Sequence, residues 1–556
     1  MRNKNFIIIA SACAAMVLTS CSGKLGALSA DYFTVTPNPL ETEAGQVPAT
    51  INGTFPEKYM KKKAVVTVTP ELRYANGATQ GTAATFQGEK VKGNDQTISY
   101  KVGGNYTMRT SFPYTPDMEE SELYLTFNAK VGKKVVEVPA VKVATGVIAT
   151  SELYKKTVLS DGGVAAADAY QRIVKQKQEA AIKFLVNQAK IRKSELQTNS
   201  IAEFVDMLKK INADQERLNI NNVEIQAYAS PEGSFDFNNK LSEKRQNVAA
   251  DYVNKTLAET GVNTAIDAHY TAEDWDGFRQ LVAVSDIQDK DVIIRVLEMY
   301  KDPEEREQQI RNMSAGYKEL ADGILPELRR SRMIINYETV GRTDEQILAQ
   351  FKDNADVLTI EELLYGAAAT NDNAVKTAMY KKATELFPAD ARAWNNLATM
   401  AMVAGNTAAA KSYLEKAVNA GGNAEAYANR GLLNLIEGNH AAAQNDIAKA
   451  TTLGDASYAQ GVLNIAKGNY SAAASALKGK TNSAALAQIL NKNYTQAANT
   501  LNDVVAADGV TSYLKAIAAA RQGNTTAAAS FLKEAVQKDA SLKTYAEKDI
   551  EMANVR

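Results

Sequence analysis

The chain has 556 residues, enough for about three or four domains by ordinary domain size. Lys and Arg number 63 against 64 Asp and Glu, which excludes nucleic-acid binding driven by bulk positive charge. Only 2 His (His269, His440) and 2 Cys (Cys13, Cys21) are present, so His-rich or four-cysteine zinc sites and cysteine–histidine dyads lack their raw material. No metal or cofactor site is expected.

The N-terminus begins with basic Arg2 and Lys4, followed by an apolar stretch from Phe6 to Leu18. That stretch is short for a membrane span and has the proportions of a signal-peptide apolar region. It ends in Leu18-Thr19-Ser20-Cys21, which resembles a bacterial lipobox. The resemblance implies a signal peptide over residues 1–20 and acylation of Cys21, with the lipid (palmitate among the chains) holding the protein to a membrane. Several acyl chains make a stable anchor, because each buried CH₂ contributes ~0.8 kcal/mol. Ser22 is not the aspartate that marks inner-membrane retention in enteric bacteria, and no acidic run follows Cys21. The expectation is an outer-membrane anchor facing the periplasm.

Residues 21–150 are expected to form a lipid-anchored antiparallel β-sandwich. Short alternating runs such as 64–69, 97–102, 123–127 and 135–143 are separated by turn signals at Asn76-Gly77, Gly103-Gly104 and Val131-Gly132.

From about residue 164 the periodicity changes. Val164–Gln178 reads as helical, residues 181–186 as a strand, and Ile201, Phe204, Val205, Leu208 and Ile211 mark an amphipathic helix. A strand at 223–228 leads into the loop Ala229-Ser230-Pro231-Glu232-Gly233-Ser234. Asn238, Leu241, Ser242 and Arg245 then open a helix, with Ser242 placed as its N-cap. Arg329-Arg330 precede a last strand at 333–337. Gly233, Asn238, Leu241, Ser242, Arg245 and the paired arginines resemble the pattern of OmpA-like, peptidoglycan-associating domains. The resemblance implies an α+β domain over residues 160–340 that binds a cell-wall peptide. A helix arginine, here Arg245, meets a carboxylate of the diaminopimelate group, and a loop aspartate meets its ammonium. The aspartate position holds Ser230, and Glu232 is the nearby carboxylate. Ser230, Glu232, Asn238 and Arg245 are therefore the candidate binding residues. A charged insert at about 271–326 is expected to be helical, with Pro303 starting a helix after Asp302. His269 reads as a structural histidine, and Asp267 and Asp274 as solvated.

After residue 345 the chain is Ala-rich, and Gly-Asn pairs recur at 405–406, 438–439, 468–469 and 523–524, with Lys492-Asn493 between them. Steps of about thirty residues indicate a solenoid of helix pairs. Trp394, Leu397, Gly405, Gly431 and Gly438 resemble the packing positions of tetratricopeptide repeats. That family's groove implies a protein partner for residues 345–556.

The order of parts resembles Bacteroides-phylum outer-membrane lipoproteins that join an OmpA-like domain to tetratricopeptide repeats. The function implied is non-enzymatic: tethering or scaffolding an envelope protein assembly, with peptidoglycan contact through the OmpA-like domain. The alternative is an assembly factor for surface fimbriae or an outer-membrane machine without cell-wall binding. A hydrolase would need a carboxylate pair, and spacing singles none out.

Overall fold

The computed structural model describes residues 25–287, 289–312 and 314–555. The proposed signal peptide and Cys21 lie outside the described residues. Two compact units are present: one joins the residues up to 167 with those from 370 onward, and the other spans 168–369.

In the first unit, alternation of apolar and polar residues builds two sheets around one core. The strands are β1 (Phe33–Thr36), β2 (Gln46–Phe55), β3 (Ala64–Tyr74), β4 (Gly77–Gln80), β5 (Ala84–Gly88), β6 (Gln96–Ile98), β7 (Gly104–Pro113), β8 (Ser121–Val131) and β9 (Lys134–Gly146). One sheet has the order β1-β2-β7; the other runs β6-β5-β3-β8-β9, with β4 beside β3. Every pairing is antiparallel except β5–β6. Along β3 every second residue from Ala64 to Leu72 is buried, and these meet Phe55 and Phe112 of the facing sheet. This is the period-2 pattern of a strand that buries one face.

After the sandwich comes one short helix, α1 (Tyr154–Asp161). The expected helix at Val164–Gln178 does not form. Gly162 and Gly163 end α1 in left-handed backbone, residues 164–170 have no regular secondary structure, and a strand begins at Ile173. Ala-rich composition favours a helix only where packing agrees, and here the main-chain groups of Val164 and Ala166 bond to asparagine side chains instead.

The second unit is built on a four-stranded sheet. Its elements are β10 (Ile173–Lys183), α2 (Asn199–Ala213), β11 (Leu218–Tyr228), α3 (Phe235–Thr260), β12 (Ala265–Thr271), α4 (Trp275–Val284), α5 (Lys290–Met299), α6 (Pro303–Asn312), α7 (Ser314–Glu319), α8 (Leu325–Leu328) and β13 (Arg330–Val340). The sheet order is β10-β13-β11-β12, parallel only between β11 and β12. Ile201, Phe204, Leu208 and Ile211 of α2 and Ala249, Val253 and Leu257 of α3 cover one face of it. The insert α4–α8 has its own core around Phe278, Val282, Ile293 and Leu320. Asp302 caps α6, accepting from the N–H groups of Glu304 and Glu305 at 3.0 Å each.

Helices α9 (Asp344–Asn354) and α10 (Ile360–Ala369) belong to this second unit. The repeat pattern assigns them to the solenoid of 345–556, and the structure moves them out of it. Arg342 pairs with Glu362 at 2.8 Å, and the Tyr170 and Tyr365 rings lie 4.8 Å apart, which ties α10 to the start and end of the sheet.

The remaining helices of the first unit stack as antiparallel pairs. They are α11 (Asn373–Leu386), α12 (Ala391–Val403), α13 (Thr407–Asn419), α14 (Ala424–Ile436), α15 (His440–Leu453), α16 (Ser457–Ala466), α17 (Tyr470–Ala476), α18 (Asn482–Leu490), α19 (Tyr494–Asn502), α20 (Gly509–Arg521), α21 (Thr525–Lys538) and α22 (Ser541–Lys548). Pairs α12–α13, α14–α15, α16–α17, α18–α19 and α20–α21 pack side by side in sequence. Ala and Leu dominate the buried positions, so helix axes approach closely. Gly431 shows the constraint: a Cβ there would meet Ile447 Cγ1 at 2.7 Å. This run of helix pairs is consistent with a tetratricopeptide solenoid. No helix of the described residues is long and apolar enough to cross a membrane.

Candidate functional site: the loop after β11 and the inner face of the solenoid

Two places answer to the sequence-derived expectations, one in each unit. The first is the loop between β11 and α3. Helix α3 begins at Phe235, two turns earlier than read from Ser242. Ser234 is the residue before the helix, and Ser242 lies buried within it, its Oγ donating to Asn239 O at 3.0 Å.

Arg245 comes nearly three turns into α3 and is 1% exposed. Its guanidinium donates to three main-chain carbonyls: Nε to Gln188 O at 3.0 Å, one terminal nitrogen to Tyr228 O at 2.9 Å and the other to Leu185 O at 3.2 Å. It also stacks over Phe184, 5.1 Å from the ring centre. Burial, and then the neighbouring Arg329 charge, push its pKa down to about 10. Three of the five N–H donors of this cation close the chain between β10 and β11.

Glu232 is engaged elsewhere. Arg329 grips it through Nε to Oε2 at 3.0 Å and a terminal nitrogen to Oε1 at 3.0 Å, a bidentate fork. Ser230 Oγ donates to the same carboxylate at 2.6 Å. Asn238 donates to Gly233 O at 3.2 Å and to Glu273 Oε1 at 3.1 Å. Ser230, Glu232 and Asn238 thus gather in one loop network, while Arg245 turns to the carbonyls.

The insert packs over this loop. Trp275 donates to Glu273 at 2.9 Å, and Pro231 lines one small cavity with Trp275, Phe278 and Ile310. Asp274, expected in solvent, is buried: it caps α4 by accepting from Gly277 N at 2.8 Å and pairs with Arg330 at 3.1 Å. His269 stands exposed on β12 with Asp267 at 2.8 Å. Among the described residues, no group of three or more His, Cys, Asp and Glu could hold a metal ion.

The second place is the inner face of the solenoid, formed by the first helix of each pair. Helix α1 lies along α12, α14, α16, α18 and α20. Leu153, Tyr154 and Val158 are buried in the solenoid's own core. Tyr154 OH donates to Leu435 O at 3.1 Å. Asp161 sits at the start of α18, accepting from the N–H groups of Asn482 at 2.8 Å and Ser483 at 2.9 Å, and from Tyr458 OH at 2.8 Å. A carboxylate is well matched to a helix N-terminus. Burial still dominates and pushes its pKa above the ordinary carboxylate range, with those donors acting in the opposite direction.

Past the two glycines the chain is read by asparagines. Val164 N donates to Asn429 Oδ1 at 2.8 Å, and Asn429 Nδ2 donates back to Val164 O at 2.8 Å. Asn395 Nδ2 donates to the same carbonyl at 3.0 Å. Ala166 N donates to Asn396 Oδ1 at 2.7 Å, and Asn396 Nδ2 to Ala166 O at 2.9 Å. All three asparagines are at most 1% exposed.

These asparagines are not among the residues that motif and spacing mark as a site. A signal existed. Asn396 and Asn429 are separated by the same interval as Gly405 and Gly438, so they hold equivalent positions on successive repeats. An amide recurring on an otherwise apolar helix face requires a buried partner.

The repeat positions are placed as follows. Leu397 is buried, and Gly405 and Gly438 follow α12 and α14 in left-handed backbone. Trp394 donates to Pro388 O at 2.9 Å and stacks with Tyr413, with Lys416 Nζ 4.6 Å from the ring centre.

No protein-family model and no curated protein matches the chain. Solved structures similar to parts of it include a tetratricopeptide repeat protein from Parabacteroides merdae, at 15% identity, covering 44% of this chain and 98% of that one with a TM-score of 0.28. YrrB, described as a TPR protein with an unusual peptide-binding site, is 18% identical and is covered completely by 37% of this chain, with a TM-score of 0.19. The APC/C hetero-tetramer Cut9-Hcn1 is 16% identical with a TM-score of 0.29; the match spans 36% of this chain and 44% of that chain.

Proposed function

We propose that the protein is a non-enzymatic scaffold of the bacterial envelope, anchored in the outer membrane by lipid on Cys21 and facing the periplasm, whose helical solenoid engages protein segments. One observation carries the scaffold reading. The solenoid's inner face is built to hold a polypeptide: its asparagines pair with main-chain groups and its helix N-terminus takes a carboxylate.

The OmpA-like reading of the second unit is supported by its β-α-β-α-β core, with β11, the loop and α3 carrying Gly233, Asn238, Leu241, Ser242 and Arg245 in chain order. Cell-wall peptide contact through Arg245, Ser230, Glu232 and Asn238 is the finer form of that reading. The alternative, an envelope assembly factor without cell-wall binding, is favoured by a specific geometry. Arg245 is buried with its guanidinium on three carbonyls and Glu232 is forked by Arg329, so neither side chain is presented to a zwitterionic ligand.

Two measurements on the full chain test these statements. Cys21→Ala is expected to move the protein from the membrane to the soluble fraction; continued fractionation with the outer membrane would sink the lipid anchor. Purified protein incubated with peptidoglycan sacculi is expected to stay in the supernatant. Co-sedimentation that is lost in Glu232→Gln would restore the cell-wall tether.

A further inference from the structure

Residues 153–166 are packed against the solenoid as a bound peptide would be. Their apolar contacts come from the start of α1: Tyr154 and Val158 stand one turn apart at i, i+4, and Leu153 just before the helix joins them. Their polar contacts are different in kind from those of a protein core. At Val164 and Ala166 the solenoid reads amide and carbonyl, not side chain, through amides that are themselves buried. Ala165, between them, is exposed. Such pairing accepts any extended segment with small residues at the two contact points.

The junction between the helical turn and the extended part is also a recognition element. Gly162 and Gly163 have φ of 76° and 75°, and a Cβ on Gly163 would stand 2.3 Å from Asn429 Oδ1. Asp161, just before them, anchors on the first turn of α18. Ser160 adds a hydrogen bond to Asp508 at 2.6 Å, and Asn482 donates to Ser160 Oγ at 2.7 Å.

We infer that the inner face of the solenoid is a peptide-binding site, that residues 153–166 of the same chain are its resident ligand, and that a segment of the same chemistry presented by another protein competes for it. That chemistry is a short apolar helical turn, an acidic residue, two glycines and an extended stretch of small residues. This deepens the scaffold reading by naming the kind of partner the solenoid holds, and it rests on that reading.

The test uses the full chain and a fluorescein-labelled synthetic peptide of residues 150–168. In one variant the resident segment is loosened by Tyr154→Ala and Asp161→Ala together. Saturable binding of the labelled peptide is expected to be at least about 10-fold tighter to this variant than to wild type, a difference of ~1.4 kcal/mol. Adding Asn396→Ala and Asn429→Ala should abolish the gain, and a scrambled peptide should not bind. A loosened variant that keeps its helical circular dichroism yet gains no affinity would overturn the proposal, as would equal binding of the scrambled peptide. If the loosened variant does not fold, amide exchange of wild type decides. The Val164 and Ala166 amides should exchange at least about 100-fold faster than buried amides of α14, by local release. Exchange only through global unfolding would make the segment part of the core and end the proposal. The scaffold reading would survive that result if fractionation and partner capture still placed a protein on the envelope-bound chain, docked outside this face.

Discussion

Asn429→Ala is the sharpest perturbation of the solenoid's inner face. The wild-type side chain accepts from Val164 N at 2.8 Å and donates to Val164 O and to Asn395 Oδ1, each at 2.8 Å. The Val164 carbonyl keeps a donor in the variant, because Asn395 Nδ2 lies 3.0 Å away. The Val164 N–H keeps none. Two neutral hydrogen bonds to the segment at about 1 kcal/mol each, together with one stranded main-chain donor, give a loss of about 2–4 kcal/mol in holding the segment. At ~1.4 kcal/mol per decade, the released population rises about 30- to 700-fold. Limited trypsin digestion reads this directly, since Lys155 and Lys156 lie within α1. When opening and closing are fast relative to cleavage, the rate follows the open population. A cleavage rate within about twofold of wild type, with unchanged circular dichroism, would refute the assignment of these bonds as the hold on the segment.

Three further expectations concern single groups. Gly163→Ala should raise the same cleavage rate by about 10-fold or more, since left-handed backbone costs an alanine ~1–2 kcal/mol and the new Cβ would sit 2.3 Å from Asn429 Oδ1; no change would mean the turn relaxes freely. Arg245→Ala should lower the stability of the second unit by more than about 3 kcal/mol in urea unfolding, because three carbonyls lose a charged donor; an unmoved midpoint would show that they find other partners. Asp161 has a folded pKa raised above its unfolded value of about 3.9, so the folded chain binds the proton more tightly. Its contribution is therefore greatest below pH ~4 and is lost as pH rises through the folded value. Wild type should lose stability relative to Asp161→Asn across that window in melting curves taken by pH, and a difference that grows in favour of wild type would contradict the sign.

The parts that were legible in the sequence are those set by near neighbours. The alternation along β3, the amphipathic stripe of α2, the cap of Asp302 on α6 and the thirty-residue step of the helix pairs each express which face is buried, and burial leaves a period in the chain. The strand, loop and helix around Gly233 and Arg245 were placed correctly in order, but the start of α3 was set two turns late because Ser242 has the chemistry of a cap while lying inside a helix.

What only the tertiary structure decided is partner choice. Ala-rich residues 164–170 have the local preference for helix, yet Asn396 and Asn429, more than two hundred residues on, offer amide pairs that an extended backbone satisfies and a helix does not. Arg245 carries the same residue type at the same spacing whether it faces a ligand or three carbonyls; its destination depends on where Leu185, Gln188 and Tyr228 are brought by the sheet. Helices α9 and α10 carry no mark of the unit they join, which is settled by Arg342–Glu362 and Tyr170–Tyr365. Periodicity reports that a face is covered, because burial acts on each residue where it stands. It does not report by what, since that depends on distances between segments far apart in the chain.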